Sequence, residues 1–153
     1  MSDAARPQIA DLTRTLAQLA DRVLAARTPG LEPYVAGTLR LVLRELETWI
    51  PGLDAAPNAE AARAFADAAE IALRDGDERE ALSYALRGLS CAPHHPHLWY
   101  LAGAACVEIG GIETALRMMH HALWVHPGHR DARRDLDALT SFLEGHEGED
   151  KAA

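Results

Sequence analysis

Apolar residues recur at spacings of 3, 4, 3 and 4 from Ile9 through Leu12, Leu16, Leu19 and Val23, the seam of an amphipathic helix. Asp11, Arg14, Gln18 and Arg22 fall on its other faces. The pattern predicts a helix from Pro7 to about Arg27, stopped by Thr28-Pro29-Gly30. Pro33 suits the first turn of a second helix, whose apolar positions are Val35, Leu39, Val42, Leu46 and Trp49, thickened by Leu41, Leu43 and Ile50 and ended by Pro51-Gly52. Two such helices joined by a short turn predict an antiparallel hairpin over residues 1–52. The second helix is apolar over a wider arc than one neighbour covers. The pair therefore packs either on the rest of its own chain or, as a homodimer, on the hairpin of a second copy. Residues 53–61, with Pro57, read as a linker.

The segment from Ala62 to His95 repeats itself without a gap 34 residues later. Seven identities carry the register: Ala68/Ala102, Gly76/Gly110, Ala81/Ala115, Leu82/Leu116, Leu89/Leu123, Pro93/Pro127 and His95/His129. Gly76 and Gly110 fall where a left-handed cap ends the first helix of each unit, a conformation glycine adopts at little cost. Asp77 with Glu80 has the spacing of a capping box opening the next helix. Small residues at Ala69/Gly103, Ala81/Ala115 and Gly88/Ala122 predict close helix crossings, and Pro93 and Pro127 end the second helices. A further helix from Arg130 carries Leu136, Leu139 and Leu143, with Gly145 as its expected stop and residues 146–153 as a disordered acidic tail. Two units are fewer than the three or so that such stacks need, so the hairpin is expected to close the open end.

Composition agrees with this all-α reading. Alanine and leucine supply 51 of the 153 residues, whereas valine and isoleucine supply 10 and aromatics 5%. Strand-preferring residues are thus too few for a β-sheet. A formal charge of −8 gives no general attraction to nucleic acid or to anionic membranes. No apolar run reaches the roughly 20 residues of a membrane span. The first residues, Met1 to Pro7, show no basic leader followed by an apolar core, and two cysteines make no disulfide framework. A cytoplasmic protein is expected.

Residues 62–129 resemble the tetratricopeptide repeat family. The second unit meets its pattern at Trp99, Ala102, Gly103, Cys106, Gly110, Ala115, Met119, Ala122 and Pro127. The first does so at Phe65, Ala68, Ala69, Ala72, Gly76, Ala81, Ala85, Gly88 and Pro93. Smaller residues stand at Cys106, Ala72, Met119 and Ala85, where the family usually has aromatics. The resemblance implies a short α-solenoid over residues 62–145: two repeats and a capping helix, whose first helices line a groove for another protein. In that register the groove carries Arg63, Glu70 and Leu73 from the first unit. His97, Tyr100, Ala104, Val107 and Glu108 come from the second, and Arg134 from the last helix. The family's best-known groove clamps a carboxylate with cationic and amide side chains; Ala66, Glu70 and Leu101 occupy those slots here, so that clamp is absent. Trp124, on the outer face of a second helix, is a candidate partner or subunit surface.

The eight histidines raise the question of a metal site. Cys91, His94, His95 and His97 form a metal-like string, but Cys91 shares its repeat position with Val125 and reads as a small core residue. His94, His95, His126 and His129 fall in equivalent loops, one repeat apart and too distant to share an ion. His120 and His121 are expected on the outer face. No nucleophilic triad, phosphate loop, metal site or cofactor motif is present, so no enzyme is expected. The expected function is an adaptor or partner-specific chaperone binding a peptide or helix. The alternatives are an oligomerisation module built on the hairpin and a metal-responsive protein using the histidine loops. The stretch from Trp99 to Cys106 also resembles the repeat-containing chaperones of bacterial type III secretion.

Overall fold

Local backbone and side-chain chemistry sets several of the helix ends. In a computed structural model, which describes residues 5–49 and 58–152, the elements are α1 (Ala5–Ala25), α2 (Pro33–Glu47), α3 (Ala59–Arg74), α4 (Glu78–Cys91), α5 (Pro96–Ile109), α6 (Ile112–Val125) and α7 (Arg130–Ala152), with no strand among the described residues. Helices α4 and α6 begin and end 34 residues apart, as do the starts of α5 and α7. Asn58 opens α3, its side chain accepting from the Ala61 N–H at 3.2 Å. Most of the expected linker, residues 53–57, lies outside the described residues.

The two units share the main features of their turns. Gly76 (φ 81°) and Gly110 (φ 100°) are left-handed. The Asp77 N–H donates to the Ala72 carbonyl at 2.8 Å, and the Gly111 N–H to that of Cys106 at 2.7 Å. Paired bonds from Gly76 to Leu73 and from Gly110 to Val107 complete the same cap. The capping box at Asp77 does not form: its side chain makes no cap bond. The backbone N–H that Glu80 would have accepted from is already given to Ala72. Close crossings occur as expected. A Cβ on Gly88 would lie 2.8 Å from the Leu98 side chain and 3.1 Å from Phe65 Cβ, and one on Gly103 would lie 3.2 Å from Met119 Cγ.

The N-terminal helices do not seat where the repeat register places them. They make few contacts with each other; α1 packs chiefly on α4, and α2 on α6. Leu16, Leu19, Ala20 and Val23 of α1 are buried, as are Val35, Leu39, Val42, Leu43 and Leu46 of α2. The pair therefore flanks the stack instead of closing its end. Helix α4 shows why: Ala81, Leu82, Ala85, Leu86 and Leu89 are all buried, so the helix is apolar on more sides than α3 and α5 can cover. Three layers result, with α3, α5 and α7 on one side, α4 and α6 in the middle, and α1 and α2 on the other. The α1–α2 connection is pinned by Arg79, which donates to the carbonyls of Thr28 and Gly30. Arg87 pairs with Asp21 across α4 and α1.

Helix α7 also outruns its expected end, passing through Gly145 to Ala152 where a stop and a disordered tail were predicted. A glycine costs a helix interior only about 1 kcal/mol, and Gly145 lies outside the left-handed region. No helix among the described residues is long and apolar enough to cross a membrane.

Candidate functional site

Histidine begins the site because it caps two helices. His95 Nδ1 accepts the Leu98 N–H at 3.2 Å, and its repeat equivalent, His129, accepts the Ala132 N–H at 3.1 Å. Each satisfies one of the N–H groups that a helix start leaves without a partner. A backbone N–H can only donate, so His129 Nδ1 bears no proton and the neutral ring carries its proton on Nε2. That Nε2 lies 3.1 Å from His97 Nδ1 and donates to it. His97 in turn carries its proton on Nε2 and donates to Glu70 Oε1 at 2.6 Å. The chain runs Ala132 to His129 to His97 to Glu70, and every tautomer in it follows from the first donor.

Tyr100 covers this chain, its ring centroid 5.8 Å from that of His97 and 5.1 Å from that of His129. Its hydroxyl donates to Asp135 Oδ2 at 2.7 Å, while Arg134 Nε donates to Oδ1 at 3.0 Å. Burial and the Asp135 carboxylate raise the Tyr100 pKa and keep the hydroxyl protonated. Burial, and secondarily His97, lowers the pKa of His129. In these tautomers neither His97 nor His129 has a nitrogen lone pair left for a substrate or a metal. The network positions α3, α5 and α7 against one another.

Beside it a cavity of about 210 Å³ opens between α5 and α7, lined by Ala104, Val107, Glu108, Met119, Asp135, Ala138 and Leu139. Of the groove residues expected from the repeat register, Glu70, His97, Tyr100 and Arg134 join the polar network, and Ala104, Val107 and Glu108 line the cavity. Arg63 is exposed on α3 and Leu73 packs against the core; neither lines the cavity. Asp135 and, as a helix cap joined to His97, His129 are additions to the face that the repeat register describes. The His95/His129 identity does signal a shared cap. The contact with His97 spans 32 residues rather than 34, and repeat alignment alone does not bring those two together.

A second cluster gathers all three tryptophans. Trp99 is fully buried and its Nε1 donates to the Pro93 carbonyl at 2.7 Å. His121 sits 5.3 Å from the Trp99 ring, 5.4 Å from Trp124 and 5.5 Å from His94, and Trp49 lies 6.1 Å from His94. His120 is exposed as expected, but His121 is 2% exposed. Helix α2 covers this side of α6, so the outer face of the repeat is an interior here. Among the described residues neither ring nitrogen of His121 has a hydrogen-bond partner, and burial, with His94 beside it, pushes its pKa down to about 4. Trp124 remains 46% exposed. Cys106 is buried, its Sγ 3.8 Å from Met118 Sδ, and burial pushes its thiol up to about 12.

The His129 cap has a simple test. His129→Ala should lower stability by about 0.5–2 kcal/mol in urea unfolding. His129→Asn, whose side-chain oxygen can accept the Ala132 N–H, should recover most of that loss. Equal losses in both variants would show that the cap contributes nothing. No protein-family model matches this chain, and no curated protein matches it.

Proposed function

We propose that this chain is a non-enzymatic protein-interaction module, an adaptor or partner-specific chaperone. It holds a peptide or helical segment of another protein against the face formed by α3, α5 and α7. The cavity between α5 and α7 carries this reading: five of its seven lining residues are apolar, a composition suited to an apolar side chain. Helices α1 and α2 lie on α4 and α6, so neither fills that face. The resemblance of the two units to tetratricopeptide repeats adds support, because such arrays present extended binding surfaces. Cys91 and Cys106 form no disulfide, which accords with a reducing, cytoplasmic compartment.

A second reading rests on a different feature. A cleft of about 340 Å³ separates α1 from α2, lined in part by Leu12, Leu41 and Val42, and Leu41 is 63% exposed. Such an edge suits an oligomerisation module.

One experiment separates the two. A peptide library is panned on the immobilised chain while light scattering reports its mass in solution. The groove reading expects enrichment from a monomeric chain, lost in Val107→Glu with helicity unchanged and retained in Leu41→Glu. A stable dimer that Leu41→Glu dissociates, with no peptide enriched, would replace it with the second reading.

A further inference from the structure

The two residues of the cavity that are not apolar are both carboxylates. Glu108 stands on the α5 side and is exposed; Asp135 stands opposite on α7. Among the described residues no cation lines the opening. The nearest guanidinium in the network, that of Arg134, is shared: its Nε lies 3.0 Å from Asp135 and its Nη1 3.3 Å from Asp131. Arg134 thus faces two carboxylates with one charge, and Glu108 adds a third. The side chain of Asp135 is 30% exposed. Its two oxygens accept one bond each from Tyr100 and Arg134, which leaves acceptor capacity on both. The neighbouring Glu70, on α3, is a further carboxylate on this face. The net charge of −8 on the whole chain has the same sign and steers cations towards the surface.

From this charge pattern we propose that the segment seated between α5 and α7 is cationic: one apolar anchor flanked by lysine or arginine. This rests on the groove reading and specifies the partner. The anchor enters between Val107, Met119 and Leu139. A cavity of about 150 Å³ admits benzene, so about 210 Å³ takes one side chain of leucine or methionine size. The flanking cation meets Glu108 on one side and the open lone pairs of Asp135 on the other. An acidic segment would bring a further carboxylate against these two in a half-buried site, which repels it.

The probes are three blocked peptides of equal length with a single central leucine flanked by lysine and arginine, by glutamine, or by glutamate. Binding to the full chain is followed through the methyl resonances of Ala104, Val107, Met119, Ala138 and Leu139. The cationic peptide is expected to shift them and to bind roughly tenfold more tightly than the glutamine peptide, the effect of two partly exposed ion pairs. Added salt should shrink that margin. Glu108→Lys, at an exposed position, should erase the margin and admit the glutamate peptide. Equal binding of the cationic and glutamine peptides, both lost in Val107→Glu, would overturn the cationic partner and leave the groove reading standing. No methyl shift with any peptide would remove both. Self-association of the free chain abolished by Glu108→Lys would instead make a second copy the occupant and overturn the foreign partner.

Discussion

Trp99→Ala should be the most damaging single substitution in the molecule, costing about 3–5 kcal/mol from lost packing alone. Trp99 is fully buried at the junction of both repeat units, and its indole N–H closes a 2.7 Å bond to the Pro93 carbonyl in the loop between them. Truncation leaves that carbonyl without its donor, adding about 1–3 kcal/mol if water cannot reach it. For a chain of this size each kcal/mol moves the melting temperature by about 2–4 °C, so a drop of about 10 °C or more is expected. Trp99→Phe separates the two contributions by keeping an aromatic ring while deleting the donor. Urea unfolding followed by circular dichroism reads both variants. A cost below about 1 kcal/mol for the alanine variant would show that the loop between the units holds without the ring.

The second large effect is a loss of stability in acid centred on His121. Its folded-state pKa is about 4 against an ordinary 6.5, so the unfolded chain binds this proton more readily than the folded one. Above pH 6.5 the ring is neutral in both states and the full stability is present. As pH falls from 6.5 to 4 the unfolded state gains, and a loss on the order of 3 kcal/mol accumulates. His95 and His129, whose pKa values are also lowered by burial, act in the same direction. His121→Leu removes the titrating group together with two buried nitrogens that lack partners. That variant should be at least as stable at pH 7 and visibly flatter between pH 7 and pH 4. A slope unchanged from the parent protein would place the acid sensitivity elsewhere.

These two residues also mark how far the sequence could be read. The 34-residue period places Trp99 in the core correctly, because local signals and tertiary packing agree there: a glycine cap, small crossing residues and a proline stop all share one register. The same register places Glu70, His97, Tyr100 and Arg134 on one face, and the structure joins them. His121 was misplaced because the register describes the stack alone. Nothing in the spacing of α1 and α2 distinguishes a helical pair seated at the end of a stack from two helices laid along its side. That choice is made by the apolar girth of α4 and α6, which becomes visible only when their neighbours are counted in space. Glycine misled in the opposite way at Gly145. It is a reliable stop where the backbone turns left-handed, as at Gly76 and Gly110, and only a modest penalty where the helix runs on.

The side-by-side seating of α1 on α4 also bears on how the chain acquires its structure during synthesis. Helix α1 leaves the ribosome before α4, and the surface that buries Leu16, Leu19 and Val23 is not made until α4 has emerged, some 60 residues later at roughly 5–20 residues per second. For several seconds an amphipathic helix with an open leucine seam waits beside a growing, alanine-rich partner. A nascent chain arrested before α4 has cleared the ribosome should therefore expose that seam to holding factors, and one arrested after α4 has emerged in full should have begun to withdraw it.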